Sequence, residues 1–441
     1  MSKIGIKGAA VLTGGLAMFA AACGGGGGSS SSSSGGCDGK LPANADLEIW
    51  WHQGAESEVK AVQDMVTAFN SSQTAVKAKL TLVPEADYGK QLDGAAAAKK
   101  LPGVVDTDAS KAFKYAWNGN LQPIDNCLSA DLKSDLLPSI IDQGTYANKL
   151  WAVGMFDSGL GMYASKKALA KVNATIPTSA ANAWTADQFT KVLKDLKAAG
   201  YQFPLDLKKN YGQGEWYAFG FAPIVWSSGG DLVNRKDYKT AEGSIDSADV
   251  VKSMTTFQSW FKDGLVDDNK DDKAFITGRS AISWVGHWQY NDYKKALGDD
   301  LVVLPLPNFG KGSKTGQGSW QWAVGSGIDA DVAWKFIEFT MNPANQKAIA
   351  DAAGTVPARK SVAATIDKFK TGGDLNLFVQ QLETGVSEPR PPHPAYFTIS
   401  DSFNAAIQKI IDGADVKGAL TDAAKAIDAD LAANKNYPAP K

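Results

Sequence analysis

Hydrophobic positions along this chain switch repeatedly between two periods. Asp46-Leu47-Glu48-Ile49-Trp50-Trp51 reads as a strand, and Val59, Val62, Val66 and Phe69 then recur at helical spacing from Glu56 to Asn70. Val76 to Val83 alternates again, and Tyr88 to Lys100 predicts an alanine-rich helix ended by Pro102. Strands are expected at Leu150 to Phe156, Leu160 to Ala164, Ala281 to Val285, Leu301 to Leu304 and Trp322 to Val324. Thr185-Ala186-Asp187-Gln188 is a capping box opening a helix to Gly200, and another helix covers Val250 to Asp263 before Gly264. Helix is expected through Phe339 and again from Phe403 to Leu431. Strands separated by helices predict an α/β architecture with parallel sheets, and 441 residues exceed what one core supports, so two lobes are expected.

The chain start follows a different logic. Lys3 and Lys7 precede an apolar run from Ala9 to Ala22, the layout of a secretory signal, and the run is too short to favour a permanent membrane span. Ala20-Ala21-Ala22-Cys23 resembles a bacterial lipobox, whose cysteine is lipidated. Between Cys23 and Cys37 lie only glycine and serine, which cannot bury enough surface to offset ordering, so the segment reads as a tether holding an anchored protein clear of the membrane. Loss of residues 1–22 removes two lysines and no acid, moving the formal charge from −2 to −4, which leaves nothing basic to suggest nucleic acid. Cys37 and Cys127 are then the remaining thiols, and in an oxidising compartment a disulfide between them is expected.

Catalytic patterns are scarce. His52, His287 and His393 stand far apart without HExxH spacing, and there is no CxxC, GxSxG elbow or phosphate-binding loop, so metal, acyl-transfer and nucleotide chemistry lose their support and no metal or cofactor is expected. The acidic stretch Asp267 to Asp272 lacks the spaced ligands of a calcium loop and reads as a solvated turn. What stands out is the chain's 13 Trp, 12 Tyr and 18 Phe, several beside polar groups: Trp50-Trp51-His52-Gln53, Glu215-Trp216-Tyr217, Trp284 to Trp288, and Trp320-Gln321-Trp322. Any one tryptophan is as easily core packing. As a set they suit a sugar, whose C–H face packs on an aromatic ring while its hydroxyls need acceptors.

LEIWWHQGAESE, GTYANKLWAVGMFDSGLGMYASKKAL, AFITGRSAISWVGHW, TVPARKSV and PAYFTISDSFNAAI resemble, in order and spacing, the extracellular solute-binding proteins of ABC-type sugar importers, the maltose-binding-like group. The resemblance covers essentially the whole mature chain. It implies a two-lobed periplasmic-binding-protein fold of type II-like layout, each lobe a sheet flanked by helices, joined by a hinge that the chain crosses several times. The expected organisation is a signal peptide at 1–22, the lipidated cysteine and tether at 23–40, one lobe from 41–154 and 315–356, and a second from 155–314 and 357–441. It implies a monomer that captures a sugar or oligosaccharide and passes it to the importer's permease subunits, without catalysis.

The resemblance also suggests ligand-binding residues. Trp51, Gln53 and Glu56 follow the first strand, with Trp50 facing the core; Asp108 follows the third. Asp157 stands at the first crossing, and Glu215, Trp216 and Tyr217 form the second lobe's acidic-aromatic cluster. Trp288 and Trp320 are aromatic candidates, and Arg359 and Tyr396 polar ones, although Arg359 equally reads as a bridge to surface acids. Stacking is assigned to Trp51, Trp216 and Trp288, and hydrogen bonding to Gln53, Asp108 and Asp157. Two other readings stay open. A lipid-anchored glycoside hydrolase would use two carboxylates, for which Asp157 and Glu215 could serve. A peptide or amino-acid receptor would need a charged clamp, and Arg359 is the one cation among these candidates.

Overall fold

The computed structural model describes residues 36–439 apart from Gln213, Asn269 and Ser319. The expected signal segment, Cys23 and nearly all of the tether lie outside the described residues. Among those described, no helix is long and apolar enough to cross a membrane.

Two separate sheets organise the body. In the first, strand β1 (Ala45–Gln53) pairs in parallel with β2 (Val76–Pro84) and β3 (Val104–Asp108), and the strand Trp320–Gly325 joins β3 on its other side. The short strands Leu121–Gln122 and Ala152–Gly154 both pair with Trp320–Gly325. The second sheet runs in the order Leu205–Asp206, Ile282–Gly286, Leu160–Ser165, Leu301–Leu304. The expectation of parallel sheets is therefore corrected. Trp320–Gly325 is antiparallel to β3, and Leu160–Ser165 is antiparallel to both its neighbours. Each of these two strands enters its sheet straight from a segment arriving from the other sheet, so it runs in without the helical crossover that makes neighbours parallel.

Helices form where the apolar stripe repeats. Helix α1 (Glu56–Ser72) buries Val59, Val62, Met65, Val66 and Phe69, and the Phe69 ring meets Phe336 and Phe339 edge-on, each at 5.4 Å. Helix α2 (Glu85–Ala97) returns the chain to β3. Helix α3 (Ala109–Trp117) starts directly at the end of β3, with the Asp108 carboxylate capping the Ser110 amide. The Thr185–Gln188 capping box opens the helix Ala186–Ala198. The helix expected from Phe403 to Leu431 is two helices, Tyr396–Ile411 and Val416–Ala433. Gly413 breaks it at φ +92°, a conformation costly for any residue with a Cβ, and Asp415 caps the second helix by accepting from the Gly418 amide.

Between the sheets, short segments run side by side. Phe156–Asp157 pairs with Val356–Pro357, Ser158 bridges to Gly318, and Thr315-Gly316 lies parallel to Ser387-Glu388. These pairings join residues far apart in sequence at the point where the chain leaves one sheet for the other.

The N-terminal end of the described body is fastened twice. Cys37 and Cys127 form a disulfide with Cα atoms 5.0 Å apart, and the amides of Asp38 and Gly39 donate to the Asp331 carboxylate at 2.8 and 3.0 Å. The disulfide closes a loop across a separation of 90 residues. A loop of that length restricts the unfolded chain enough for the Cys37→Ser/Cys127→Ser variant to lose about 2 to 4 kcal/mol. Urea unfolding of the two proteins measures the loss, and coincident midpoints would mean that the bond constrains nothing the fold needs.

Candidate functional site

Asp108 is the last residue of β3, opposite Trp320 of the neighbouring strand, so its carboxylate stands at the C-terminal end of the first sheet. Glu215 is the first residue of the helix Glu215–Ser227, which packs on the second sheet through the Trp284 indole N–H donating to the Gly220 carbonyl at 3.0 Å. Arg390 joins the two acids. Its Nη1 donates to Asp108 Oδ2 at 2.8 Å and to Glu215 Oε1 at 2.6 Å, while Nη2 lies 2.8 Å from Asp108 Oδ1. Forked pairing of this kind fixes orientation as well as distance.

Further donors complete the cluster. The Tyr396 hydroxyl donates to Glu215 Oε1, Ser400 Oγ donates to Oε2 at 2.9 Å, and Lys111 Nζ stands 3.8 Å from Oε2. Burial alone would raise the Asp108 carboxyl, but Arg390 and Lys111 outweigh it and hold the group below the usual carboxylate range. Arg390 itself is 5 % exposed, and the same two acids hold it firmly protonated despite burial. Its backbone is placed by the paired segment Ser387–Glu388 and by Arg235 Nη2 donating to the Pro389 carbonyl at 2.6 Å.

Aromatic rings wall the cluster. The Arg390 guanidinium lies 5.1 Å from the Phe219 ring and 5.8 Å from that of Tyr396. Phe219 is tilted against Trp288 at 6.2 Å, Trp288 meets Trp216 edge-on at 6.2 Å, and the Trp288 indole donates to the Tyr211 hydroxyl at 3.1 Å. Two glycines make room for these rings. A Cβ at Gly286 would fall 1.9 Å from the Trp288 ring, and one at Gly318 would fall 2.8 Å from Phe219. A gap of about 10 Å³ beside Arg390, lined also by Ala109, Ser110, Phe113 and Gln143, has room for about one water. A cavity of about 480 Å³ lies elsewhere, at Tyr201, Phe203, Asp267 and Arg279.

A second buried ion pair ends the first sheet. His52 Nδ1 lies 2.5 Å from Asp106 Oδ2, and the His52 ring stacks on Trp320 at 3.8 Å and 14°. Burial alone would depress the imidazole, but the Asp106 carboxylate more than offsets it and lifts the group to about 9.

Of the residues expected at a ligand, the structure brings Asp108, Glu215 and Tyr396 into one cluster, with Trp216 and Trp288 in the adjoining aromatic wall. Trp320 sits at the His52 pair. Gln53, the last residue of β1 and paired with Pro84, and Glu56, the first of helix α1, are both exposed and outside the cluster. Tyr217 is buried and its hydroxyl donates to Gln408 at 3.3 Å.

Three expectations are corrected. Trp51 is 1 % exposed and packs on Trp322 at 4.7 Å, so it has no free face for stacking. It shares the buried face of β1 with Leu47 and Ile49, and Trp50, expected in the core, is the half-buried one, its indole donating to Glu48. Asp157 is fully buried at the crossing, where it accepts from Gln143 Nε2 at 2.9 Å and from the Gly318 amide at 3.4 Å. It therefore orders the crossing segments instead of facing an open cleft, and cannot flank a bond as half of a hydrolytic pair with Glu215. Arg359 binds Asp135 at 2.7 Å, the bridging role that was its other reading.

Sequence reasoning missed Arg390, Lys111, Phe219 and Ser400. A helical signal existed for two of them, since Phe219 is one turn beyond Glu215 and Ser400 one turn beyond Tyr396. Arg390, inside Pro389-Arg390-Pro391-Pro392, carries no local signal for its partners.

A family model described as bacterial extracellular solute-binding protein matches residues 64–375. The maltotriose-binding protein of Pyrococcus abyssi is 24 % identical over 333 residues, covering 71 % of this chain and 67 % of that one. Among solved structures, the cyclic alpha-maltosyl-1,6-maltose binding protein of Arthrobacter globiformis superposes with a TM-score of 0.73 at 22 % identity, over 88 % of this chain and 99 % of its own. A Streptomyces glaucescens receptor solved alone and with acarbose gives 0.75 at 20 %, over 90 % and 100 %. These likenesses establish the two-lobed fold expected from the sequence.

Two buried groups each predict a loss of stability as pH rises, in different ranges. His52 is raised in the fold, so its contribution of about 3 kcal/mol is complete below pH ~6.5 and disappears as pH rises to about 9. Burial raises Asp157 to about 6, so the folded state loses stability, again about 3 kcal/mol, as pH climbs from about 4 to 6. Denaturant midpoints across pH 4 to 10 check both. His52→Gln should flatten the alkaline limb and Asp157→Asn the acid-side slope, and an unaltered profile in either variant would exclude that residue as its source.

Proposed function

This chain belongs to the bacterial extracellular solute-binding protein family, and from that premise we propose that it is the carbohydrate-capturing receptor of an ABC importer. Oligosaccharides are its ligands, and it hands them to the permease unchanged. The observation that carries this reading is the composition of the Asp108–Glu215 cluster: acceptors from the end of the first sheet and from a helix packed on the second, meeting beside a wall made of Phe219, Trp216, Trp288 and Tyr396. Hydroxyl groups need the first and sugar C–H faces the second. The relatives named above point the same way, their ligands being maltotriose, a cyclic maltosyl-maltose and acarbose.

In the mechanism this supports, one lobe comprises about 41–154 with 315–356 and the other 155–314 with 357–441, and the paired crossings between them are the hinge. The gap at Arg390 holds no more than a water in the conformation described. A saccharide therefore enters through separation of the lobes, and favours closure because it contacts groups from both. Trp216 and Trp288 supply stacking, Asp108 and Glu215 accept hydroxyls, and Tyr396 orients Glu215. Cys23 carries the lipid anchor, and the Gly/Ser segment behind it spans the distance to the folded body. The protein acts as a monomer and performs no reaction.

A thermal-shift screen of the domain from residue 37 onward against mono- and oligosaccharides, with amino acids as controls, tests the reading. Ligand at 100 times its dissociation constant adds about 2.7 kcal/mol, well within detection. The expected result is a shift with one oligosaccharide family, with the sugar recovered intact. Trp288→Ala should weaken that binding roughly 10-fold, as loss of one stacking ring costs about 1.5 kcal/mol. A shift with amino acids alone, or release of sugar products, would overturn the proposal.

A further inference from the structure

The bridge at Arg390 carries a consequence for which sugars the cleft accepts. Asp108 and Glu215 supply two negative charges, and Arg390 and Lys111 two positive ones, so the cluster is formally neutral. Farther out, Asp401 is acted on by Lys111, Glu215, Lys114 and Asp93. Arg390 occupies the hydrogen-bonding edge that a bound cation would otherwise take, using both oxygens of Asp108 and one of Glu215. The second Glu215 oxygen is engaged by Ser400.

We propose that Arg390 is the specificity-determining residue of the cleft, restricting it to uncharged saccharides by neutralising and orienting Asp108 and Glu215 at once. This rests on the carbohydrate reading above and narrows it. An amino sugar bearing a positive charge meets carboxylates whose charge a buried guanidinium already balances, with Lys111 beside it. A uronic-acid oligomer finds the Arg390 donors that would pair its carboxylate already committed to Asp108 and Glu215. A neutral hydroxyl costs no charge and accepts or donates at the oxygens and N–H groups the bridge leaves in fixed directions. Lysine could balance the charge at this position but could not fork across both acids, so the arrangement uses the one side chain able to do both.

Isothermal titration with maltotriose, the fully deacetylated glucosamine trisaccharide and trigalacturonate, at one fixed salt concentration and pH 6, tests the assignment. The wild-type protein should bind the neutral oligosaccharide and neither charged one; a neutral panel extended to other di- to tetrasaccharides covers the case where maltotriose is not the cognate sugar. Arg390→Gln should lose roughly 10- to 100-fold in affinity for the neutral ligand and gain measurable binding of the glucosamine trimer. The double variant Asp108→Asn/Arg390→Gln removes one charge of each sign, giving a charge-balanced protein in which the gain for the cationic sugar should disappear. Arg390→Lys should weaken neutral binding while keeping the neutral preference, a readout available even where Arg390→Gln does not fold. Neutral and cationic affinities in Arg390→Gln equal to wild type, or cationic preference in Arg390→Lys, overturn the role of Arg390 and leave the carbohydrate reading standing. A wild-type protein that binds no saccharide in the extended panel overturns both.

Discussion

A buried guanidinium between a carboxylate at the end of one sheet and a carboxylate on a helix packed against the other is the interaction on which the described conformation turns. Without Arg390, Asp108 at the end of β3 and Glu215 at the head of its helix would face one another as like charges in a largely dry space, where repulsion is poorly screened. With it, the two sheets are drawn together through five close polar contacts around Glu215 and Asp108, counting those of Tyr396 and Ser400. A buried ion group of this kind is poor at adding net stability, since its desolvation cost is large. Its strength is that it tolerates few alternative geometries.

That geometric demand explains the construction around it. Arg390 is delivered by a segment pinned to Thr315-Gly316 by strand pairing, and Asp108 is held at a helix N-terminus where its carboxylate also caps Ser110. The crossing segments are ordered in turn by Asp157, whose buried carboxylate gathers the Gln143 amide and the Gly318 amide at the same point. Phe219 and Trp288 close the aromatic side only because Gly318 and Gly286 lack a Cβ. The polar cluster, the crossings and the ring wall are thus one mechanically linked unit, which suits a receptor whose signal is the relative placement of two lobes.

The particular elements show why some of this was legible beforehand. Helix α1 and the Thr185 capping box follow from local periodicity and capping chemistry, and both form as expected. The orientation of β1 was legible but misread: Leu47, Ile49 and Trp51 alternate with Asp46, Glu48 and Trp50, so the two-residue period puts Trp51 on the apolar face, where it meets Trp322. Asp157 looked like an acceptor for a ligand because a polar residue at a crossing is conspicuous; its partners Gln143 and Gly318 come from other segments that sequence order does not place beside it. Arg390 was invisible for the same reason, being a lone cation among prolines until folding brings Asp108 and Glu215 to it.

By itself, then, the sequence determined the features that depend on near neighbours: which stretches are helix or strand, where helices start, the α/β character of the body, and a composition suited to sugars. Its five motifs in register also carried the family. Tertiary structure alone decided strand direction in each sheet, which aromatics are core and which line the cluster, and which charges neutralise one another. The reason is physical. Periodicity and capping act over a few residues, whereas burial and ion pairing depend on groups that the chain brings together only after hundreds of residues have taken their places.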